Sequence, residues 1–144
     1  MKKILITGAH SYIGTSVADY LARWPEKYAV DTLSVRGEKW KQADFSGYDA
    51  VFHVAGIAHA DVGHVSEERK AEYYAVNRDL TLAVAEKAKA DGVGQFLYMS
   101  SAIVYGDSAP IGKRKVITKD TPVAPANFYG DSKVQAEKGL KKLE

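Results

Sequence analysis

Lys2-Lys3-Ile4-Leu5-Ile6-Thr7-Gly8-Ala9-His10-Ser11-Tyr12-Ile13-Gly14 opens the chain and governs how the rest is read. A short apolar run stops at Thr7-Gly8, and a helical pattern begins almost at once. A buried parallel strand passes in this way into a helix whose N-terminus faces a ligand. The unpaired N–H groups and positive dipole end of such a helix suit a phosphate. Glycines at the turn let the pyrophosphate of a dinucleotide approach the backbone. The pattern is G-x-x-S-x-x-G, with Gly8 and Gly14 at its ends and Ser11 where a middle glycine is expected. The turn predicts a dinucleotide site with one flaw.

Outward from this turn, strands and helices alternate. Ile13, Val17, Leu21 and Trp24 recur at helical spacing and give the first helix an apolar face, ended by Pro25. Tyr28 to Val35 reads as a second strand and Ala50 to Ala55 as a third, the latter preceded by the turn residues Ser46-Gly47 and Asp49. A long helix is predicted from Glu67 to about Ala90, with Asp91-Gly92 as its stop. Gln95 to Ser100 is a further strand, Gly106 to Pro125 a long loop, and Tyr129, Lys133 and Glu137 share the last helix. Trp40 to Phe45 is open between a reduced strand and a loop, because too few residues separate Val35 from Ala50 for a full strand-and-helix unit. Continuous apolar strands with right-handed crossovers predict an α/β protein: a Rossmann-like doubly wound parallel sheet in three α/β/α layers. The 144 residues make one dinucleotide-binding domain.

Composition narrows the function classes. Hydrophobic residues are 46% and charged residues 26%, the balance of a globular chain. A net charge of +2, without a basic stripe interleaved with aromatics, argues against nucleic acid. The absence of cysteine excludes disulfides, thiolate catalysis and cysteine–zinc sites, and His59 and His64 lack metal-ligand partners at suitable spacing, so no metal is expected. Lys2-Lys3 before the apolar run mimics a signal peptide, but the run is too short and breaks at Thr7-Gly8. With no segment long enough to span a membrane, the chain reads as cytoplasmic.

In an open α/β sheet the ligand lies beyond the carboxyl ends of the strands. Four segments converge there: Gly8 to Gly14, Ala55-Gly56, Ser100-Ser101 and the loop before Tyr129. Tyr129 and Lys133, four apart, share one helix face. A lysine ammonium beside a phenol favours the phenolate, which can exchange protons with a sugar or alcohol hydroxyl. By itself Tyr-x-x-x-Lys also describes a solvated surface pair, and nine tyrosines in a lysine-rich chain produce about one by chance. Order distinguishes this pair: it follows a strand ending in Ser100-Ser101, which follows a phosphate-binding turn.

Taken together, Thr7-Gly8-x-x-Ser11-x-x-Gly14, His53-Val54-Ala55-Gly56, Asn77, Ser100 to Gly106, and Tyr129-Gly130-Asp131-Ser132-Lys133 with Glu137 resemble the extended short-chain dehydrogenase/reductases of the NAD-dependent epimerase/dehydratase group. The resemblance runs through nearly the whole chain. It implies Tyr129 as acid/base, with Lys133 favouring its ionised form and holding the nicotinamide ribose, and Ser101 as a hydrogen-bond donor to the substrate oxygen and Tyr129. Ser100 would cap the strand end, and Asn77 would interrupt or brace the long helix. Gly8, Ser11, Tyr12, Ile13, Gly14, Arg36, Ala55, Gly56, Tyr129 and Lys133 would bind the cofactor, NAD or NADP. Small residues at Ala55 and Gly56 equally suit close packing. The implied substrate is a nucleotide sugar: Tyr129 removes a hydroxyl proton, at C4 in the expected case, hydride passes to the nicotinamide, and the keto intermediate is reduced again or processed further. A reductase would run the same steps in reverse. A homodimer is compatible with the resemblance.

Two departures accompany it. Ser11 replaces the middle glycine, though serine is small and can donate to a phosphate. No acidic residue ends the second strand, which closes with Ser34-Val35-Arg36; Asp31 comes too early and Glu38 late. Arg36 can pair with a 2′-phosphate, which leans toward NADP, or simply face solvent. Asp44 is a candidate adenine contact. The family's C-terminal substrate-binding region has no counterpart before Glu144, so the chain reads as the N-terminal part of a longer protein, with unpaired edge strands and little activity alone. A non-catalytic dinucleotide sensor of the same fold and a reductase of non-sugar ketones remain alternatives.

Overall fold

The alternation of side chains along Lys2–Thr7, strand β1, sets the two faces of the sheet. Leu5 joins a buried cluster with Val35, Trp40, Phe45, Val51, Val84 and Ala88. Ile6 lies on the opposite face, beneath Gly14 of the first helix. In the computed structural model, which describes residues 1–58 and 64–144, β1 is central in a four-stranded parallel sheet. Its order is β2-β1-β3-β4, with β2 Tyr28–Leu33, β3 Ala50–His53 and β4 Gln95–Tyr98. Helix α1 (Tyr12–Leu21) connects β1 to β2. Helices α2 (Glu67–Tyr74) and α3 (Thr81–Ala90) lie between β3 and β4, and α4 (Phe128–Lys141) follows a long loop. This is the expected Rossmann-like α/β arrangement. The chain leaves β1 toward β2 on one side and returns to β3 on the other, which opens a crevice at the carboxyl ends of β1 and β3.

Each later strand is two residues shorter than its apolar run. Val54 and Ala55 leave the ladder because both their N–H groups converge on the Thr7 carbonyl, at 2.9 and 3.1 Å, which turns the chain across the end of β1. Trp40 to Phe45 is not a strand. Lys39–Gln42 forms a 3₁₀ turn, and Trp40 and Phe45 insert into the core as a plug where a longer chain would place a strand and helix. The Phe45 N–H donates to Asp91 at 2.9 Å, and Lys87, bonded to the same carboxylate, lies 4.9 Å from the Phe45 ring centroid.

The first helix also differs from expectation. It ends at Leu21, before Trp24 and Pro25, and only Gly14 is fully buried; Val17 and Leu21 are half-covered and Ile13 is exposed. β2 is an edge strand, so its overlying helix has protein on one side only. The long helix starts at Glu67 and stops at Asp91-Gly92 as predicted, but its middle, Ala75–Leu80, is π-helical. Gly92 adopts φ +79°, and Val93 N–H closes on the Ala88 carbonyl at 2.9 Å, a left-handed helix stop. Residues 106–126 form the expected loop, drawn in by Lys115, which donates to the Tyr105 and Asp107 carbonyls at 2.7 and 2.9 Å. No helix among the described residues is long and apolar enough to cross a membrane.

The plug has a measurable weight. Phe45→Ala empties a fully buried site and is expected to cost about 3–5 kcal/mol in urea unfolding, the range for buried aromatic truncation. A loss below about 1 kcal/mol would show that Phe45 is not part of the core's support.

Candidate active site

The crevice at the ends of β1 and β3 is a groove of about 1010 Å³. Gly8 to Ser11 form one wall, Ser34 to Glu38 the far end, and Val54 to Ile57 the floor, with the π segment opposite. Gly8 is held at φ +118°, and a Cβ there would lie 2.7 Å from the Ala55 nitrogen, so no other residue fits. Gly14 lets α1 ride close on the sheet; its Cβ would meet Val54 and Ile6 at 3.1 and 3.2 Å. Ser11 caps α1, its Oγ accepting from Gly14 N–H at 3.0 Å. Its φ of −73° is open to any residue, and its hydroxyl proton remains available to a ligand. Tyr12 and Ile13 turn their side chains out of the groove, Tyr12 being 87% exposed. Their first-turn N–H groups lack intrahelical acceptors, so any part they play is through the backbone.

The floor is fastened to α4 by Asn77, 0% exposed in the π segment. Its Oδ1 accepts from Ile57 N–H at 2.8 Å, while Nδ2 donates to the Ile57 carbonyl and to Ser132 Oγ at 3.0 and 3.1 Å. Ser132 in turn donates to the Tyr129 carbonyl at 2.7 Å. The neighbouring Lys133 is 5% exposed; its Nζ donates to the Met99 carbonyl at 3.0 Å and lies 4.9 Å from the Tyr98 ring centroid. A Cβ on Gly56 would sit 3.1 Å from both Lys133 Nζ and Asn77 Oδ1. Gly56 therefore both lines the groove and permits close packing. Burial pushes Lys133 down to about 8, with Glu137 acting in the opposite sense.

Tyr129 is half-buried in the first turn of α4, its ring edge-on to Tyr73 at 6.1 Å. Asn127 caps that turn by accepting from Gly130 N–H at 3.0 Å. Gly130 packs against the Ile103 carbonyl, which draws the Ser101 turn to the start of α4. Ser101 Oγ accepts from Ile103 N–H at 3.3 Å and makes no hydrogen bond to Tyr129 among the described residues. Ser100 does more than cap its strand: its hydroxyl donates to Glu137.

Beneath these groups His53 is fully buried between strands and helix. Nδ1 shares a hydrogen bond with Thr7 Oγ1 at 2.7 Å and Nε2 with Thr81 Oγ1 at 3.1 Å, with Phe96 and Tyr98 stacked nearby. Burial, with a smaller contribution from the Lys133 charge, pushes its pKa down to about 3. Among the described residues no three His, Asp or Glu side chains group as metal ligands; His59 lies outside the described residues.

The sequence pattern of the NAD dependent epimerase/dehydratase family matches residues 4–144. The chain belongs to this family. A UDP-glucose 4-epimerase of Erwinia amylovora is 33% identical over 166 residues, covering 96% of this chain and 47% of that protein. The UDP-Glc/GlcNAc 4-epimerase of Campylobacter jejuni superimposes with a TM-score of 0.76 at 25% identity, over 99% of this chain and 49% of that one. RMD from Pseudomonas aeruginosa, solved with NADPH, gives 0.71 at 27%, over 96% and 48%. The chain spans about half the length of the curated relatives it matches.

Against the family pattern, the acidic residues near β2 each have a partner within the chain. Asp31 accepts from Tyr48 Oη at 2.9 Å and Asp44 from Ser46 N–H, both away from the groove, while Glu38, at the groove's far end, pairs with Lys41. Sequence reasoning missed the π-segment wall, Ala75, Val76 and Leu80, and the His10 backbone at φ +69°. The apolar periodicity did not mark these wall residues, although the π turn meets the expectation that Asn77 interrupts and braces the long helix.

Two measurements test this architecture. Gly8→Ala is expected to cost about 1–3 kcal/mol through backbone strain, whereas Ser11→Gly costs a few tenths as an exchanged cap; thermal unfolding of both variants ranks them. For His53, the unfolded chain takes up a proton near pH 6.5 that the folded chain refuses until about 3. Stability is therefore full above about 6.5 and declines as the pH falls. Urea unfolding at pH 7 and 5 should show that decline, and His53→Gln should flatten it.

Proposed function

We propose that the groove binds NAD or NADP and that Ser101, Tyr129 and Lys133 carry proton transfer beside it, in a nucleotide-sugar epimerase, dehydratase or reductase. One observation carries this reading: Lys133, one turn from Tyr129, has its ammonium against Gly56 at the groove floor. A single buried cation thereby joins the binding groove to the helix of the acid/base. The residues fit a dinucleotide: Gly8 lets the β1–α1 turn close on Ala55, and that turn, with Ser11 at the N-terminus of α1, lines the groove where a pyrophosphate would lie.

When bound, the dinucleotide supplies the hydride acceptor or donor at its nicotinamide. Tyr129 takes the proton from a sugar hydroxyl or returns it to a keto oxygen. Ser101 keeps its hydroxyl proton while accepting from Ile103, so it can donate to the same oxygen. Lys133, at about 8, is mostly ammonium at neutral pH and presents that charge to the ribose and to Tyr129's helix face.

Arg36 supports a lean toward NADP: with Ser34 and Glu38 it lines the groove's far end, it makes no ion pair among the described residues, and Glu38 is paired with Lys41. Arg36→Ala is expected to weaken NADP(H) binding about tenfold, the weight of a charge-assisted hydrogen bond, and NAD(H) by less than twofold in calorimetry. In the full-length protein, Tyr129→Phe should lower turnover of a nucleotide sugar, UDP-glucose being the first to assay, by about 10²–10⁴-fold. Near-wild-type turnover would remove Tyr129 from the reaction, and dinucleotide binding with no hydride exchange on any nucleotide sugar would favour a sensor.

A further inference from the structure

Two successive residues at the exit of β4 are gripped by two residues one turn apart on α4. The Met99 carbonyl accepts from Lys133, and the Ser100 hydroxyl donates to Glu137. Ser101 follows directly, and two residues further on Ile103 packs against Gly130. Helix α4 thus touches the Ser101 turn at Gly130, Lys133 and Glu137. The proposed reaction uses neither Ser100 nor Glu137, although both lie in the motifs that carry the family resemblance.

The charges around Lys133 single out the same residue. From β4 it faces Tyr98, the uncharged His53 lies near it from β3, the Asn77 amide stands on the same side of Gly56, and on its own helix Tyr129 and Glu137 are one turn away on either side. Glu137 is the one acid among them. No direct ion pair joins it to Lys133 among the described residues; it stands one helical turn away with its carboxylate held by Ser100.

We propose that Glu137 is a positioning residue: through Ser100 it fixes the Ser101 turn against the helix of Tyr129, and it supplies the countercharge of the buried Lys133 ammonium. The consequence for turnover rests on the function proposed above; the coupling to Lys133 does not. Glu137→Gln keeps an acceptor for Ser100 but removes the charge, and Ser100→Ala keeps the charge but removes the bond. In lysine-labelled full chain, with the Lys133 signal assigned by its loss in Lys133→Met, an NMR titration reads the ammonium without cofactor or substrate.

In Glu137→Gln the Lys133 midpoint is expected to fall by about half to one unit, a three- to tenfold easier deprotonation. Ser100→Ala should leave it within about 0.3 units, and Glu137→Asp, which retains the charge, should hold it near the wild-type value even if the Gln variant fails to fold. In the full-length protein Ser100→Ala should lower kcat about tenfold, the scale of a small misplacement, with KM nearly unchanged, whereas Glu137→Gln, which keeps the acceptor for Ser100, should act through the charge of Lys133. The alkaline limb of the pH profile should shift only in Glu137→Gln. An unmoved Lys133 midpoint in folded Glu137→Gln, or a midpoint that falls equally in Glu137→Asp, overturns the countercharge; unchanged kcat in Ser100→Ala overturns the positioning. A midpoint that shifts as expected in a protein without sugar turnover supports the coupling and rejects the function reading instead.

Discussion

The side-chain amide of Asn77 joins three stretches of chain, around residues 57, 77 and 132, that are far apart in sequence. Buried and without partners, such an amide would cost about 1–3 kcal/mol for each polar atom left unpaired. It is satisfied only when the floor after β3 and the Ser132 turn of α4 take their observed places. The groove and the helix of Tyr129 and Lys133 are therefore positioned by one requirement. The widened π turn that carries Asn77 also presents Ala75 and Val76 to the groove, so the same local irregularity serves packing and site shape.

Around that clamp the protein buries ionisable groups selectively. His53 is kept neutral between two threonine hydroxyls, where it links the ends of β1 and β3 to α3 without an interior charge. Lys133 is kept charged at a cost, offset by a backbone carbonyl, an aromatic face and the field of Glu137. A neutral imidazole and a compensated ammonium within one layer leave the site with a single buried cation among the described residues, set against the groove floor. Under the function proposed above, that cation would meet a ligand's oxygen where water is restricted.

Some of the structure was legible in the sequence alone. The helix stop at Gly92 and the turn at Gly8 are local: a positive φ acts within a few residues of its own position. Other features were not. Trp40 and Phe45 look like a broken strand in sequence, yet they fill a gap whose size depends on α3 and the sheet together. Ile13 belongs to an apolar stripe, yet it stays exposed, because burial depends on which other elements pack on α1 and not on the stripe itself.

The site divides along the same line. By itself the sequence determined the alternation of strands and helices, the glycine turn on a helix N-terminus, and the Tyr129–Lys133 spacing, because each is a matter of local periodicity. Only the tertiary structure decided that Ser11 serves as a cap rather than a missing glycine, that Asp31 and Asp44 are engaged away from the groove, and that Lys133 meets Gly56. Those outcomes depend on which distant groups share a hydrogen bond or exclude one another's volume. Long-range satisfaction of buried polar atoms decides them, and no spacing along the chain encodes it.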